Sequence, residues 1–247
     1  MLKSINPYEN VLINEYNPYS DNKVKNIIDD ADKEFQNWKT ADYSIRKDIL
    51  FKIANSLEEN VTEHASMITR EIGKPISESK AEVLKCVWVL KYFADNSEEF
   101  LKKEQIKTDY SESYIQYDPL GVILGIMPWN FPYWQVFRFI APLLMAGNTC
   151  VVKHASNASG CSLLIEKIIL DNSPYKGIYK SLLLKSKQVN KIISNKKIKA
   201  VSLTGSEEAG SAVAMQAGKE IKKIVLELGG SDPFIVLEDA DIEKASK

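Results

Sequence analysis

This sequence is short of several things, and each shortage narrows what it can be. It has three cysteines, Cys86, Cys150 and Cys161, with no CxxC pair among them. That excludes a disulfide framework and a zinc finger and fits a reducing cytoplasm. It has two histidines, and His64 has no His, Cys or acidic partner at metal-ligand spacing; no metal is expected. It has almost no net charge: 32 basic and 33 acidic residues leave a formal −1. No global field recruits nucleic acid or an anionic membrane. The longest apolar stretches are interrupted by Pro128, Pro132, Arg138 and Pro142, and the N-terminus lacks a charged-then-apolar leader pattern. A cytoplasmic protein with neither a membrane nor a nucleic-acid partner is the expectation. Arginine occurs only at Arg46, Arg70 and Arg138 in a chain otherwise rich in lysine. Each therefore raises the question of what a planar fork of donors does there.

What is present is an ordinary globular composition, 45% hydrophobic and 26% charged over 247 residues, enough for one large domain or two small ones. Residues 1–20, with Pro7, Pro18 and several Asn, read as an irregular or extended arm. Ser20 or Asp21 caps a helix whose stripe is Val24, Ile27, Ile28, Ala31, Phe35 and Trp38. A second helix starts near Tyr43, with Val61, Ala65 and Ile68 as a possible continuation, and stops at Gly73-Lys74-Pro75. His64 on that helix reads as surface or half-buried. A third helix runs from Ser77 to Phe100. Residues 1–104 are thus an arm and helical scaffold. Alternation through 105–118 around Ser111-Glu112-Ser113 predicts a β-hairpin.

From residue 119 the period changes. Leu120–Lys153 reads as a buried strand, a loop carrying Trp129 and Asn130, a helix, and a second buried strand (CVVK) ending on Lys153. Gly177–Leu184, Ile198–Leu203, Ile221–Leu228 and Phe234–Leu237 read as further strands separated by helices. This pattern predicts an α/β fold with a doubly wound parallel, Rossmann-like sheet over 119–247. Ligands of such sheets lie at the carboxyl ends of the strands, where Met127–Asn130 and Lys153 would meet. Strand, then Thr204-Gly205-Ser206, then helix is a geometry that suits a phosphate, and a plain tight turn explains it equally well. The G-x-G-x-x-G fingerprint is absent. GSEEAG is followed by Ser211-Ala212 where a P-loop needs Lys-Ser/Thr, so nucleotide hydrolysis has little support.

Four stretches, MPWNFP (127–132), VVKHAS (151–156), SLTGSEEAG (202–210) and LELGGSDPF (226–234), resemble in order and separation successive motifs of the aldehyde dehydrogenase superfamily. The surrounding residues are most similar to its succinate-semialdehyde dehydrogenase group. The resemblance implies NAD or NADP as cofactor and a small-molecule aldehyde as substrate. It makes Asn130 the oxyanion donor and Glu227 the general base. It places Met127, Pro128, Trp129, Lys153, Ala155, Ser156, Gly205, Ser206, Ala209 and Leu228 at the cofactor, with Lys153 on the adenosine ribose and Ser206 under the pyrophosphate. Many NAD-preferring relatives carry an acidic residue where Ser156 stands, so NADP is admissible here, with His154 as a further donor. Arg138 follows Asn130 by eight residues, a little over two turns of a helix expected to begin near Phe131, so that both side chains can lie along one side of it. The resemblance implies that Arg138 holds a substrate carboxylate. The hairpin would be of the subunit-bridging type and the full-length form a homo-oligomer.

One departure is large. The family's nucleophilic cysteine lies beyond Lys247, so the sequence reads as an N-terminal part with the catalytic domain absent, and the chain alone is expected not to turn over. The rival from another class is a catalytically inactive nucleotide-binding or interaction protein, and the residues following Lys247 would separate the two.

Overall fold

Ser20 opens helix α1 (Asp21–Trp38) by accepting the Lys23 N–H on its hydroxyl, and the apolar stripe of that helix, from Val24 to Trp38, is buried. Helices α2 (Tyr43–Glu59), α3 (Val61–Ile72) and α4 (Ile76–Phe100) follow. The computed structural model describes residues 1–246. The expected single helix from Tyr43 onward is broken at Asn60, whose backbone leaves the helical region at φ −108° and ψ 23°. Its side chain bonds back to the Ser56 carbonyl, a local contact that competes with continuation of the helix. Helix α3 ends on Gly73 at φ 80° with Pro75 beyond it, as the stop signal predicts.

The N-terminal arm is more ordered than its Pro and Asn content suggests. Strands β1 (Leu2–Asn6) and β2 (Val11–Tyr16) pair antiparallel, with a register shift between Ser4 and Ile5. Leu2 and Ser4 are buried, Ser4 through a bond to Glu71. The second hairpin is shorter than its alternation implies: β3 (Glu104–Gln105) and β4 (Tyr114–Ile115) pair over two residues each and are exposed.

Five parallel strands carry the rest: β5 (Val122–Met127), β6 (Thr149–His154), β7 (Tyr179–Ser181), β8 (Ile198–Thr204) and β9 (Lys223–Glu227), in the spatial order β7-β6-β5-β8-β9. They alternate with α5 (Trp134–Met145), α6 (Ser159–Asp171), α7 (Val189–Ile193) and α8 (Glu207–Lys219), and a short α9 (Ile242–Ala245) follows. This is the doubly wound sheet that the pattern predicts. Alternate residues supply opposite faces. Cys150 and Val152 join a core with α2, α4, α5 and α6, whereas Val151, Leu124 and Val201 join one with α1, α7 and α8. Phe234–Leu237, expected as a strand, pairs with none among the described residues, and Phe234 and Ile235 are each 78% exposed. A strand exists only where another backbone takes its hydrogen bonds, and none runs alongside this segment.

The helical scaffold and the α/β layer are joined by buried polar contacts as well as by apolar ones. Arg46 donates to the carbonyls of Trp38 and Lys39 at the end of α1 and of Met145 at the end of α5, at 3.1, 2.9 and 2.9 Å. A cation at two helix C-termini satisfies carbonyls that have no intrahelical partner. Gly147, at φ +84°, lies so close that a Cβ there would stand 2.8 Å from the guanidinium. Arg46→Met is expected to destabilise the chain by roughly 3 kcal/mol or more, because buried carbonyls lose their donors. The urea midpoint should fall at an unchanged slope, and a loss under about 1 kcal/mol would show that water replaces the guanidinium.

Candidate active site

The strand order reverses between β5 and β8, since β6 and β7 lie on one side of β5 and β8 and β9 on the other. That reversal opens a crevice at the carboxyl ends of the strands. The registers level those ends: Ile126 lies opposite both Lys153 and Leu203, and Leu203 opposite Leu226. The loops that leave them enclose a cavity of about 580 Å³, lined among others by Trp129, Asn130, Arg138, Gly205, Glu227 and Leu228.

The loop after β5 is fixed residue by residue. Helix α5 begins at Trp134 rather than at Phe131, because Pro132 and the turn before it are not helical. Asn130 therefore lies outside the helix, and the two-turn spacing to Arg138 does not describe their relation; both line the cavity instead. The Asn130 side-chain carbonyl accepts the Phe131 N–H at 3.1 Å, which leaves its amide N–H groups free to donate. The N–H groups of Tyr133 and Trp134 both donate to Glu82 of α4, at 2.9 and 3.0 Å. Tyr133 is buried, its hydroxyl 2.7 Å from Nδ1 of His64. His64 is accordingly a core residue rather than a surface one. Its place between Val61 and Ile68, on the buried face of α3, is the sequence signal that reveals it.

His154, at the end of β6, is buried, and its Nε2–H donates to the Pro132 carbonyl at 2.9 Å. It is therefore not a donor to a ligand at the Ser156 turn. Burial holds the His154 imidazole down at about 4, and burial lowers His64 as well. Both histidines of the chain are thus neutral and both hold the Pro132-Tyr133 pair.

The remaining candidates lie around the crevice. Lys153 is buried, its Nζ donating to the His154 carbonyl at 3.1 Å, and burial lowers its ammonium. Neither Lys153 nor Met127, Ala155, Ser156, Ser206 and Ala209 lines the cavity that holds Asn130. Ser156, Ser206 and Ala209 are exposed, Ala155 half-buried and Met127 buried. Ser206 caps α8 by accepting the Ala209 N–H at 3.3 Å. Arg138 donates to Gln135 at 2.8 Å and to Thr204 at 3.3 Å, and its guanidinium lies 3.7 Å from the Glu227 carboxylate. All three cysteines are buried, and burial raises their thiols. Among the described residues no group of three or more His, Cys, Asp or Glu could hold a metal ion, and no helix is long and apolar enough to cross a membrane.

Helix starts after parallel strands are where such folds bind phosphate, and here they differ. At α6 the N–H groups of Gly160 and Cys161 are taken by Glu71, each at 2.8 Å. At α5 they are taken by Glu82. At α8 the N–H groups of Glu207 and Glu208 have no acceptor among the described residues.

The family model described as the aldehyde dehydrogenase family matches residues 1–247. A probable succinate-semialdehyde dehydrogenase (NADP(+)) of Synechocystis is 45% identical over the whole of this chain, which covers 54% of that protein. A succinate semialdehyde dehydrogenase (NAD(P)+) of Escherichia coli is 43% identical over 91% of this chain and 48% of its own length. The solved structure of a succinic semialdehyde dehydrogenase from Streptococcus pyogenes in complex with NADP+ superposes with a TM-score of 0.95 at 35% identity, over 99% of this chain and 54% of that one. The chain spans about half the length of the curated relatives it matches.

The two depressed histidines give the fold a pH dependence with a definite sign. A histidine whose folded value lies below its ordinary 6.5 contributes stability above that pH and loses it as the pH falls towards the folded value. For His154 the interval from 6.5 down to about 4 corresponds to roughly 3 kcal/mol. Glu166, raised by burial, acts in the opposite sense: its contribution is present below 4.5 and is lost as the pH rises through its folded value, so it offsets part of the fall. The melting temperature should therefore fall between about pH 7 and pH 5, with His154→Gln flattening the slope. Equal slopes in the two proteins would remove His154 from the account.

Proposed function

The chain belongs to the aldehyde dehydrogenase family, and from that premise we propose that it forms the cofactor-binding part of an enzyme that oxidises succinic semialdehyde to its acid with NADP or NAD. The observation that carries this reading is the crevice at the strand-order reversal, where Asn130, Arg138 and Glu227 line one cavity. Residues 1–104 are its scaffold, 105–118 the hairpin that bridges subunits of a homo-oligomer, and 119–247 the dinucleotide-binding region.

Asn130 donates its side-chain amide to the oxygen of the tetrahedral adduct, and that amide is neutral at every working pH. Glu227, exposed at the end of β9, accepts the proton of the water that releases the acid. The nucleophilic thiolate comes from a part of the protein outside this chain, because Cys86, Cys150 and Cys161 are enclosed. Arg138 holds the far carboxylate of the substrate with a planar fork.

The residues present fit a dinucleotide, whose chemistry when bound is to accept the hydride of the aldehyde carbon. The free N–H groups at the start of α8, with Gly205 and Ser206, suit its pyrophosphate. Trp129, 52% exposed, and Pro128 wall the slot with Leu228 opposite. Lys153 has two donors left for a ribose after its bond to His154. Ser156 puts no carboxylate against a 2′-phosphate, and several relatives are named for NADP(+). Met127, Ala155 and Ala209 complete the surroundings.

Two tests follow from this reading. In calorimetry, the chain should bind NADP at least as tightly as NAD, and Lys153→Met should weaken both by about tenfold, the worth of one such hydrogen bond. Binding of neither cofactor would refute the site. In a protein with the full length of these relatives, Arg138→Gln should lower kcat/KM for succinic semialdehyde by one to two powers of ten. That is the loss of a charge-assisted bond of roughly 1.5–3 kcal/mol. An uncharged aldehyde of similar length should lose much less; equal losses on both would show that Arg138 selects no carboxylate.

A further inference from the structure

The least exposed ion pair among the described residues is Lys74 with Glu82, at 2.6 Å and with side chains 10% and 1% exposed. A buried pair of this kind is a weak source of stability, since taking both charges out of water costs about what their attraction returns. Its geometry shows a different use. One Glu82 oxygen accepts the N–H groups of both Tyr133 and Trp134, and the other accepts Lys74. The same Lys74 ammonium stands 3.7 Å over the ring of Phe131. One ion pair therefore holds the backbone on one side of Pro132 and the side chain on the other. Phe131 adjoins Asn130, and its N–H is the donor that turns the Asn130 amide outward.

The loop is held on its remaining sides too, by His64 on the Tyr133 hydroxyl and His154 on the Pro132 carbonyl. Those two bonds fix the buried residues of the loop. The Lys74–Glu82 pair is the one that reaches Phe131, the residue next to the exposed Asn130.

We propose that Glu82 and Lys74 are positioning residues that set where the Asn130 amide stands, so that the scaffold helices control the oxyanion site without touching substrate. This rests on the reading that Asn130 is the oxyanion donor. Positioning of this kind acts on the transition state and leaves ground-state binding nearly unchanged, because the oxygen that Asn130 meets carries its charge only in the adduct.

The test is the double variant Glu82→Gln/Lys74→Met, which removes both charges at similar volume and leaves neither one buried alone, beside the conservative Lys74→Arg. In the chain itself, hydrogen exchange at the Tyr133 and Trp134 amides should quicken about tenfold or more in the double variant, with a melting temperature within a few degrees of the parent. In the protein at the length of its relatives, kcat should fall about ten- to a hundredfold while the KM values for aldehyde and cofactor move less than about threefold, and Lys74→Arg should stay near the parent. Unchanged amide exchange, or a folded double variant with kcat within about threefold, overturns the proposal. Should the double variant fail to fold, Glu82→Gln alone is judged by the same exchange and kcat criteria. A parent protein that oxidises no aldehyde would refute the proposed function, and the exchange measurement would then still decide the clamp.

Discussion

The architecture depends on three charges that the helical scaffold buries against the ends of helices. Glu71 of α3 closes the start of α6, Glu82 of α4 closes the start of α5, and Arg46 of α2 closes the ends of α1 and α5. In each case the sign matches the helix dipole, carboxylates at N-termini and the guanidinium at C-termini. An apolar interface between scaffold and sheet would tolerate sliding, but hydrogen bonds to named backbone groups do not. These bonds fix the scaffold helices against the α/β layer in one register. They close the starts of α5 and α6 and leave that of α8 open.

That dependence explains which parts of the fold were legible in the sequence. The helical stripes, five of the six expected parallel strands and their alternation with helices are local patterns of apolar residues, and these are found. What the pattern misses is settled by contacts distant in sequence. The β1–β2 hairpin owes its order partly to Ser4, which reaches Glu71 67 residues away. The break at Asn60 is a side chain bonding its own backbone, which apolar periodicity does not register. Phe234–Leu237 has the composition of a strand and lacks a partner, and composition cannot supply one.

The site was legible in a different way. Its motifs identify the loop, the strand ends and the residue types, and the sheet order places Pro128–Asn130, Gly205 and Glu227 around one cavity. The sequence could not show what holds them. In the sequence Lys74 is only part of the Gly73-Lys74-Pro75 stop, Glu82 carries no signal of its own, and His64 reads as surface or half-buried. Their meaning is given by Tyr133, 51 and 69 residues from Glu82 and His64 respectively. Arg138 invited attention as a lone arginine among lysines. Its bond to Gln135 is local, three residues back on α5, whereas its bond to Thr204 and its approach to Glu227 follow from the neighbouring positions of β5, β8 and β9, which no local spacing encodes.

The same accounting of backbone donors bears on why an asparagine stands at the tip of this loop. A helix start beside a reacting carbonyl could in principle stabilise an oxyanion with its own N–H groups. Here the donors are already committed. The Phe131 N–H goes to Asn130, Pro132 has none, and those of Tyr133 and Trp134 go to Glu82. A carboxylate at the α5 start would also oppose a second negative charge close by. From Phe131 to Trp134 the backbone thus has nothing to offer an anion, and the donors left in the loop are the N–H groups of Trp129 and Asn130 and the Asn130 side-chain amide. Its carbonyl is occupied by Phe131, so it presents N–H groups rather than oxygen. Closing the helix with Glu82 takes up the two backbone donors at the start of α5 and leaves the side chain and the N–H groups ahead of Phe131 as what the loop can offer.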